Sequence, residues 1–176
     1  MTSFSSNEKI NILKSLFKGR DDVFAIRWEK NNKSGYMPAI PYDPYLYRRQ
    51  KMAGSQSKSN TPQTYIPLSD QQIEKHLSGM QQIGIYPLLK DNTSWFIAAD
   101  FDKTSWVEDC RNFLNICKRY DIPAYLERSR SGKGGHVWIF FDHPCDAIIS
   151  RKVVLNLLEQ SGAVSVFDKN SSFDRL

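Results

Sequence analysis

The chain has 176 residues, 40% hydrophobic and 24% charged, with a formal net charge of +5. That length and balance suit a globular protein with one full core or two small lobes, and no apolar run approaches the ~18 residues of a membrane helix. Cys110, Cys117 and Cys145 form no CxxC pair, which argues against a disulfide framework and a structural zinc site.

The opening MTSFSSNEKINIL does not read as a secretory signal, and with the cysteine usage it leads us to expect a cytoplasmic protein. The charge is uneven. Residues 1–60 carry 11 Lys/Arg against 5 Asp/Glu, whereas residues 61–176 carry 13 against 14. A basic N-terminal third fits a polyanion partner, and solvated surface lysine gives the same count.

In chain order, Ser5 and Glu8 form a capping-box pattern before a helix whose Ile10, Leu13 and Phe17 share a face, and Gly19 supplies the stop. Val23–Trp28 reads as a strand. Residues 30–64, rich in Asn, Ser, Gln, Pro and Tyr, show no sustained period and read as an extended, partly mobile connection. Ser69 with Gln72, a staple of Leu68 and Ile73, and a stop at Gly79 mark a second helix.

IGIYPLL suggests a short strand with Pro87 towards an edge, and the apolar WFIAADFD, Trp95 to Asp102, a central strand. Ser105 and Glu108 open a third helix with Val107, Cys110, Leu114 and Cys117 on one face. AYLERS and HVWIFF read as two further strands. A last helix is expected to be apolar at Ile149, Val153 and Leu157 and to stop near Gly162, with AVSVF as a final strand candidate. There is no internal repeat and no regular βαβ rhythm, so the expected class is α+β.

Two stretches carry candidate chemistry. In DFD, residues i and i+2 of a strand share a face, so Asp100 and Asp102 set two carboxylates side by side. Such a pair repels unless a cation lies between, and its oxygen donors suit Mg²⁺ or Mn²⁺. A strand simply reaching solvent accounts for the same residues.

In RSRSGKGGH, the glycines Gly132, Gly134 and Gly135 allow backbone N–H groups to approach an anion, with Arg130, Ser131, Lys133 and His136 as adjacent donors. The stretch is no P-loop, because Glu127 and Gly134 occupy positions that the P-loop reserves for a glycine and a hydroxyl residue. A solvated hairpin turn is the alternative. Together the two stretches would equip a metal-plus-triphosphate site for nucleotidyl transfer, and a nucleotide-sugar transferase would need similar equipment.

The segments LFKGRDDVFAIRW, KSGYMPA, HLSGMQQIGIYPLL, WFIAADFD, YLERSRSGKGGHVWIFF and SSFDRL, in that order along the chain, resemble the archaeo-eukaryotic primase superfamily. The resemblance is to the branch found in TOTE conflict systems and CRISPR-associated primase-polymerases. It implies a primase catalytic core with an RRM-like sheet (about residues 81–176) packed against an N-terminal α/β module (about residues 1–80). It also implies template-directed transfer from NTPs or dNTPs, two divalent ions (Mg²⁺ or Mn²⁺), and single-stranded or primer-template DNA as partner. Helicase, nuclease or CRISPR adaptation proteins are implied as possible companions. A non-catalytic module that binds single-stranded nucleic acid or nucleotide is the alternative function.

Carried over residue by residue, the resemblance makes Asp100, Asp102 and Asp174 (in FDRL) catalytic metal ligands. Arg130, Ser131, Lys133 and above all His136, in GGH, become the triphosphate contacts. Relatives often carry a cysteine cluster where Tyr36 to His76 here has none, so no zinc is expected. They also continue beyond the third acid, so Leu176 reads as the end of an excised core or a short version, with Asp174 near a terminus that can fray.

Among the remaining candidates, His76 and His143 read as structural or solvated, and Asp142 as a turn residue that rivals Asp174 as third acid. The four tyrosines between Tyr36 and Tyr47, with Arg48, Arg49 and Lys51, could stack bases and hold a backbone, or fold over their own lobe.

Overall fold

The computed structural model describes residues 4–31, 33–42, 45, 48, 64–102 and 104–163, and the backbone of 173–175. The fold is α+β, with two small antiparallel sheets. No helix among the described residues is long and apolar enough to cross a membrane. The chain divides into two compact units, the first Met1–Ile12 with Arg20–Tyr86, the second Leu13–Gly19 with Pro87–Leu176.

The helix α1 (Ser6–Leu16) starts on the expected capping box. Glu8 accepts hydrogen bonds from the Ser5 N–H (2.7 Å) and hydroxyl (2.8 Å), and its own N–H donates to the Ser5 hydroxyl (3.3 Å). These bonds hold the Glu8 carboxyl below its ordinary pKa.

In the first unit, β1 (Phe24–Lys30) lies between β2 (Lys33–Pro38) and β3 (Ile83–Ile85). Phe24 and Ala25 are buried, as are Val23, Ala39 and Ile73, the last on α2 (Asp70–Leu77). Ser69 stands at the N-cap of α2, but its side chain makes no capping hydrogen bond. β2 lies inside the stretch that reads as an irregular connection. Both its faces are largely exposed, so KSGYMP shows no apolar alternation. Tyr47, Arg49 and Lys51 lie outside the described residues.

The second unit holds β4 (Thr93–Phe101), α3 (Trp106–Arg119), β5 (Tyr125–Arg128), β6 (Gly135–Asp146), α4 (Ala147–Gln160) and β7 (Phe173–Arg175). The sheet order is β5-β6-β4-β7, so WFIAADFD is central as expected. Strand parity separates two faces. Ala99, Phe101, Val137 and Ile139 pack into a core with Cys110, Phe113, Ile116 and Cys117 of α3 and Val154, Leu157 and Leu158 of α4. On the other face, Phe17 meets Phe96, Trp138 and Phe140 edge-on at ring separations of 5.7, 5.0 and 5.4 Å.

The helix faces differ from the expected ones. On α3 the buried stripe is Cys110, Phe113, Ile116 and Cys117, with Val107 exposed. On α4, Ile149 and Val153 are exposed, and Ser150, Val154, Leu157 and Leu158 are buried. IISRKVVLNLL offers two apolar stripes one residue apart, and the sheet takes the one that carries the Leu157–Leu158 pair. Asp146 caps this helix, accepting from the Ile148 and Ile149 N–H groups at 2.8 and 3.1 Å. Of AVSVF only the buried Ala163 is described; Val164–Phe167 lie outside the described residues. β7, like β2, is a strand beyond those expected.

Candidate active site

Sheet register brings three chemically active side chains into one row. His136 on β6 lies directly opposite Glu127 on β5 and Asp100 on β4. Directly opposed residues share a face, so all three stand on the face turned away from the helices. His136 Nε2 lies 3.5 Å from Asp100 Oδ1, and Nδ1 lies 3.4 Å from Glu127 Oε2. The same Glu127 oxygen accepts a hydrogen bond from the Trp138 indole at 2.8 Å. A carboxylate therefore stands at each ring nitrogen, and an indole holds one of those carboxylates in place.

Asp102 follows directly after β4 and is exposed. A Cβ added at Gly134 would overlap the Asp102 carboxylate and come within 2.6 Å of the Phe101 carbonyl. The absence of a side chain at Gly134 is what lets the approach to β6 pass this close to the end of β4. DFD and GGH, separated by more than thirty residues of sequence, therefore meet at one end of the sheet.

β7 continues the row on the other side of β4. Arg175 is opposite Asp100 and Phe173 opposite Phe101, with a register shift between the two pairs. The backbone of Asp174 therefore runs beside the Asp100–Phe101 step, and its side chain lies outside the described residues.

This arrangement accompanies a family match. The sequence matches the family described as the archaeo-eukaryotic primase domain of TOTE conflict systems over residues 8–176, which takes in DFD, the glycine loop, His136 and β7. The chain belongs to that family. Membership puts it in a primase-like nucleotidyltransferase superfamily. No curated protein matches the chain.

For a member of this family, a divalent cation is the implied cofactor, and the donor chemistry fits one. Asp100 and Asp102 offer hard carboxylate oxygens at one end of one strand, and Mg²⁺ commonly takes one or two carboxylates together with water and phosphate oxygens. Among the described residues no group of three or more His, Cys, Asp and Glu could hold a metal.

The glycine loop is a hairpin turn between β5 and β6. Ser129 N–H donates to the Gly134 carbonyl and Gly132 N–H to the Ser129 carbonyl, both at 2.9 Å, with Gly132 at φ +72. The Arg128 guanidinium holds the Gly132 carbonyl at 3.2 Å. The Ser131 hydroxyl accepts from Lys133 N–H at 3.2 Å and lies 3.1 Å from the Ser129 hydroxyl. The N–H groups of Gly132 and Lys133 are therefore engaged within the turn, so Gly132, one of the three glycines expected to offer an N–H to an anion, spends its own on Ser129. The side chains of Arg130, Ser131 and Lys133 are exposed around the turn.

Glu127 and Trp138 join this candidate site through their contacts, and sequence reasoning missed both. Their period-two placement in YLER and GHVW was visible, but only strand pairing shows that Glu127 faces His136. His76 contacts the Gln81 carbonyl at 3.3 Å, a structural role. Asp142 pairs with His143 in an exposed part of β6, six residues beyond His136. Beneath the site, burial pushes the Cys110 and Cys117 thiols up to about 12 and about 11, so both are inert at neutral pH.

Proposed function

We propose that this domain is the catalytic core of a primase-polymerase, transferring nucleotides from NTPs or dNTPs to a 3′-hydroxyl under the direction of a template strand. The observation that carries this reading is the pairing of Asp100 with His136 across β4 and β6, with Asp102 against Gly134. Two carboxylates suited to a metal ion and an imidazole suited to a phosphate oxygen share one sheet end.

Asp100 and Asp102 would hold Mg²⁺ or Mn²⁺, with Asp174 as the third acid that the family motif supplies. The bound ions would lower the pKa of the attacking hydroxyl and stabilise charge on the leaving pyrophosphate. His136, held by Glu127 at Nδ1, would give Nε2 to a triphosphate oxygen when Asp100 turns to the metal, and the exposed Arg130 and Lys133 would add charge along the phosphates. Ser131 shapes the turn that carries them.

The test is extension of a labelled primer on a DNA template with Mg²⁺ or Mn²⁺. Asp100→Ala with Asp102→Ala should lower incorporation about 100-fold or more while the thermal melt stays cooperative. Undiminished incorporation by this variant overturns the assignment. Strand or nucleotide binding without incorporation by the wild-type chain at any metal concentration points instead to a non-catalytic module.

A further inference from the structure

The hairpin of β1 and β2 carries features that its own fold does not require. Trp28 lies opposite Gly35, and a Cβ at Gly35 would stand only 3.1–3.2 Å from the indole atoms. The indole is thus seated on bare backbone, and it is 39% exposed. Met37, on the same face by strand parity, is 46% exposed.

At the turn, Lys30 faces Lys33 directly, and no carboxylate pairs with either among the described residues. Like charges directly opposite each other destabilise a hairpin. An anion between them would reverse that cost. On the other face Arg27 lies over the exposed Tyr36 ring at 5.9 Å. An open groove of about 410 Å³ is lined by Arg27, Glu29, Lys30, Asn31, Lys33 and Ser34.

We infer that this hairpin binds a single strand of nucleic acid, with a base stacked on Trp28 and phosphates held by Lys30 and Lys33. A partly exposed aromatic ring beside paired cations is the combination that single strands use, since every base offers a π-face and every linkage a negative charge. An acidic peptide would satisfy the lysines and leave the indole unused. A duplex hides its base faces. The choice of a nucleic-acid strand rests on the proposed function, and the surface itself rests on the hairpin geometry.

The experiment titrates the 176-residue chain with labelled oligo-dT, following anisotropy and tryptophan emission. Trp28→Ala should weaken binding about 5- to 100-fold and remove the quenching of emission, whereas Trp28→Phe, which keeps a ring, should retain most of the affinity. Lys30→Ala with Lys33→Ala should weaken binding and reduce the slope of log K against log salt by about 1.4. Wild-type affinity in the ring and lysine variants overturns the proposal, as does equal competition by polyglutamate.

Asp100→Ala with Asp102→Ala should bind oligo-dT as wild type does while losing incorporation. If that variant behaves so and the hairpin variants bind normally, the hairpin assignment falls and the catalytic reading stands. A wild-type chain that binds no strand overturns the hairpin assignment, and failed extension as well overturns both.

Discussion

Trp138 donates its indole N–H to Glu127 at 2.8 Å, and the accepting oxygen is the one that faces His136 Nδ1 at 3.4 Å. The imidazole of the GGH motif is therefore held from behind by a carboxylate that is itself anchored. Its other nitrogen is turned towards Asp100.

Glu127→Ala should leave the imidazole without its orienting partner. The expected result is a rise of about tenfold in KM for the incoming nucleotide, a smaller change in kcat, and an unchanged melt, since Glu127 is exposed. Glu127→Gln keeps an acceptor for Trp138 and should recover most of the affinity. Steady-state kinetics of the two variants separate positioning from general loss of structure.

Gly134→Ala would press a methyl group onto the Asp102 carboxylate and the Phe101 carbonyl. The variant should lose about 1–3 kcal/mol of stability, because one of the two obstacles is backbone that cannot rotate away. Urea denaturation checks that figure. Mn²⁺ binding measured on the same variant should fall, because Asp102 must move.

Phe17 makes three edge-on ring contacts on the sheet face opposite α3 and α4. Phe17→Ala should cost about 2–4 kcal/mol, and Phe17→Leu distinctly less. Chemical denaturation of both variants gives the comparison.

The buried thiols predict a pH dependence. Cys110 at about 12 and Cys117 at about 11 both lie above an ordinary thiol, so in the alkaline range the unfolded chain binds fewer protons than the folded one. Their contribution is fully present below about pH 8.5, and stability should fall as pH rises from there towards 11, by up to about 1.4 kcal/mol per pH unit for each thiol. Melts between pH 7 and 10.5, with Cys110→Ala and Cys117→Ala flattening the slope, test this. Native-state labelling at pH 8 should modify Cys145, the half-buried cysteine, before the other two.

Local signals were legible where the chain's own chemistry sets them. Ser5 and Glu8 cap α1 as their spacing says, and the apolar run of WFIAADFD marks a central strand, with Ala99 and Phe101 in the core and Phe96 covered by Phe17. β2 was not legible, because its residues are exposed on both faces and leave no alternation to read. On α4 the expected Leu157 is buried, but Ser150 and Val154 take the places expected for Ile149 and Val153, because packing on the sheet, not apolar content, selects the face.

The candidate site divides in the same way. DFD, the glycine-rich turn and His136 stand in the sequence as residue types whose chemistry is intrinsic: hard oxygen donors, cations and an imidazole. Their meeting does not stand there, because pairing register is a long-range property, and a slip of one residue would turn every side chain to the other face. The tertiary structure alone decides that His136 lies opposite both Asp100 and Glu127, that Gly134 leaves room for Asp102, and that the Gly132 and Lys133 amides serve the turn instead of an anion. Sequence determined which groups were available; the register of β4, β5 and β6 determined which of them meet.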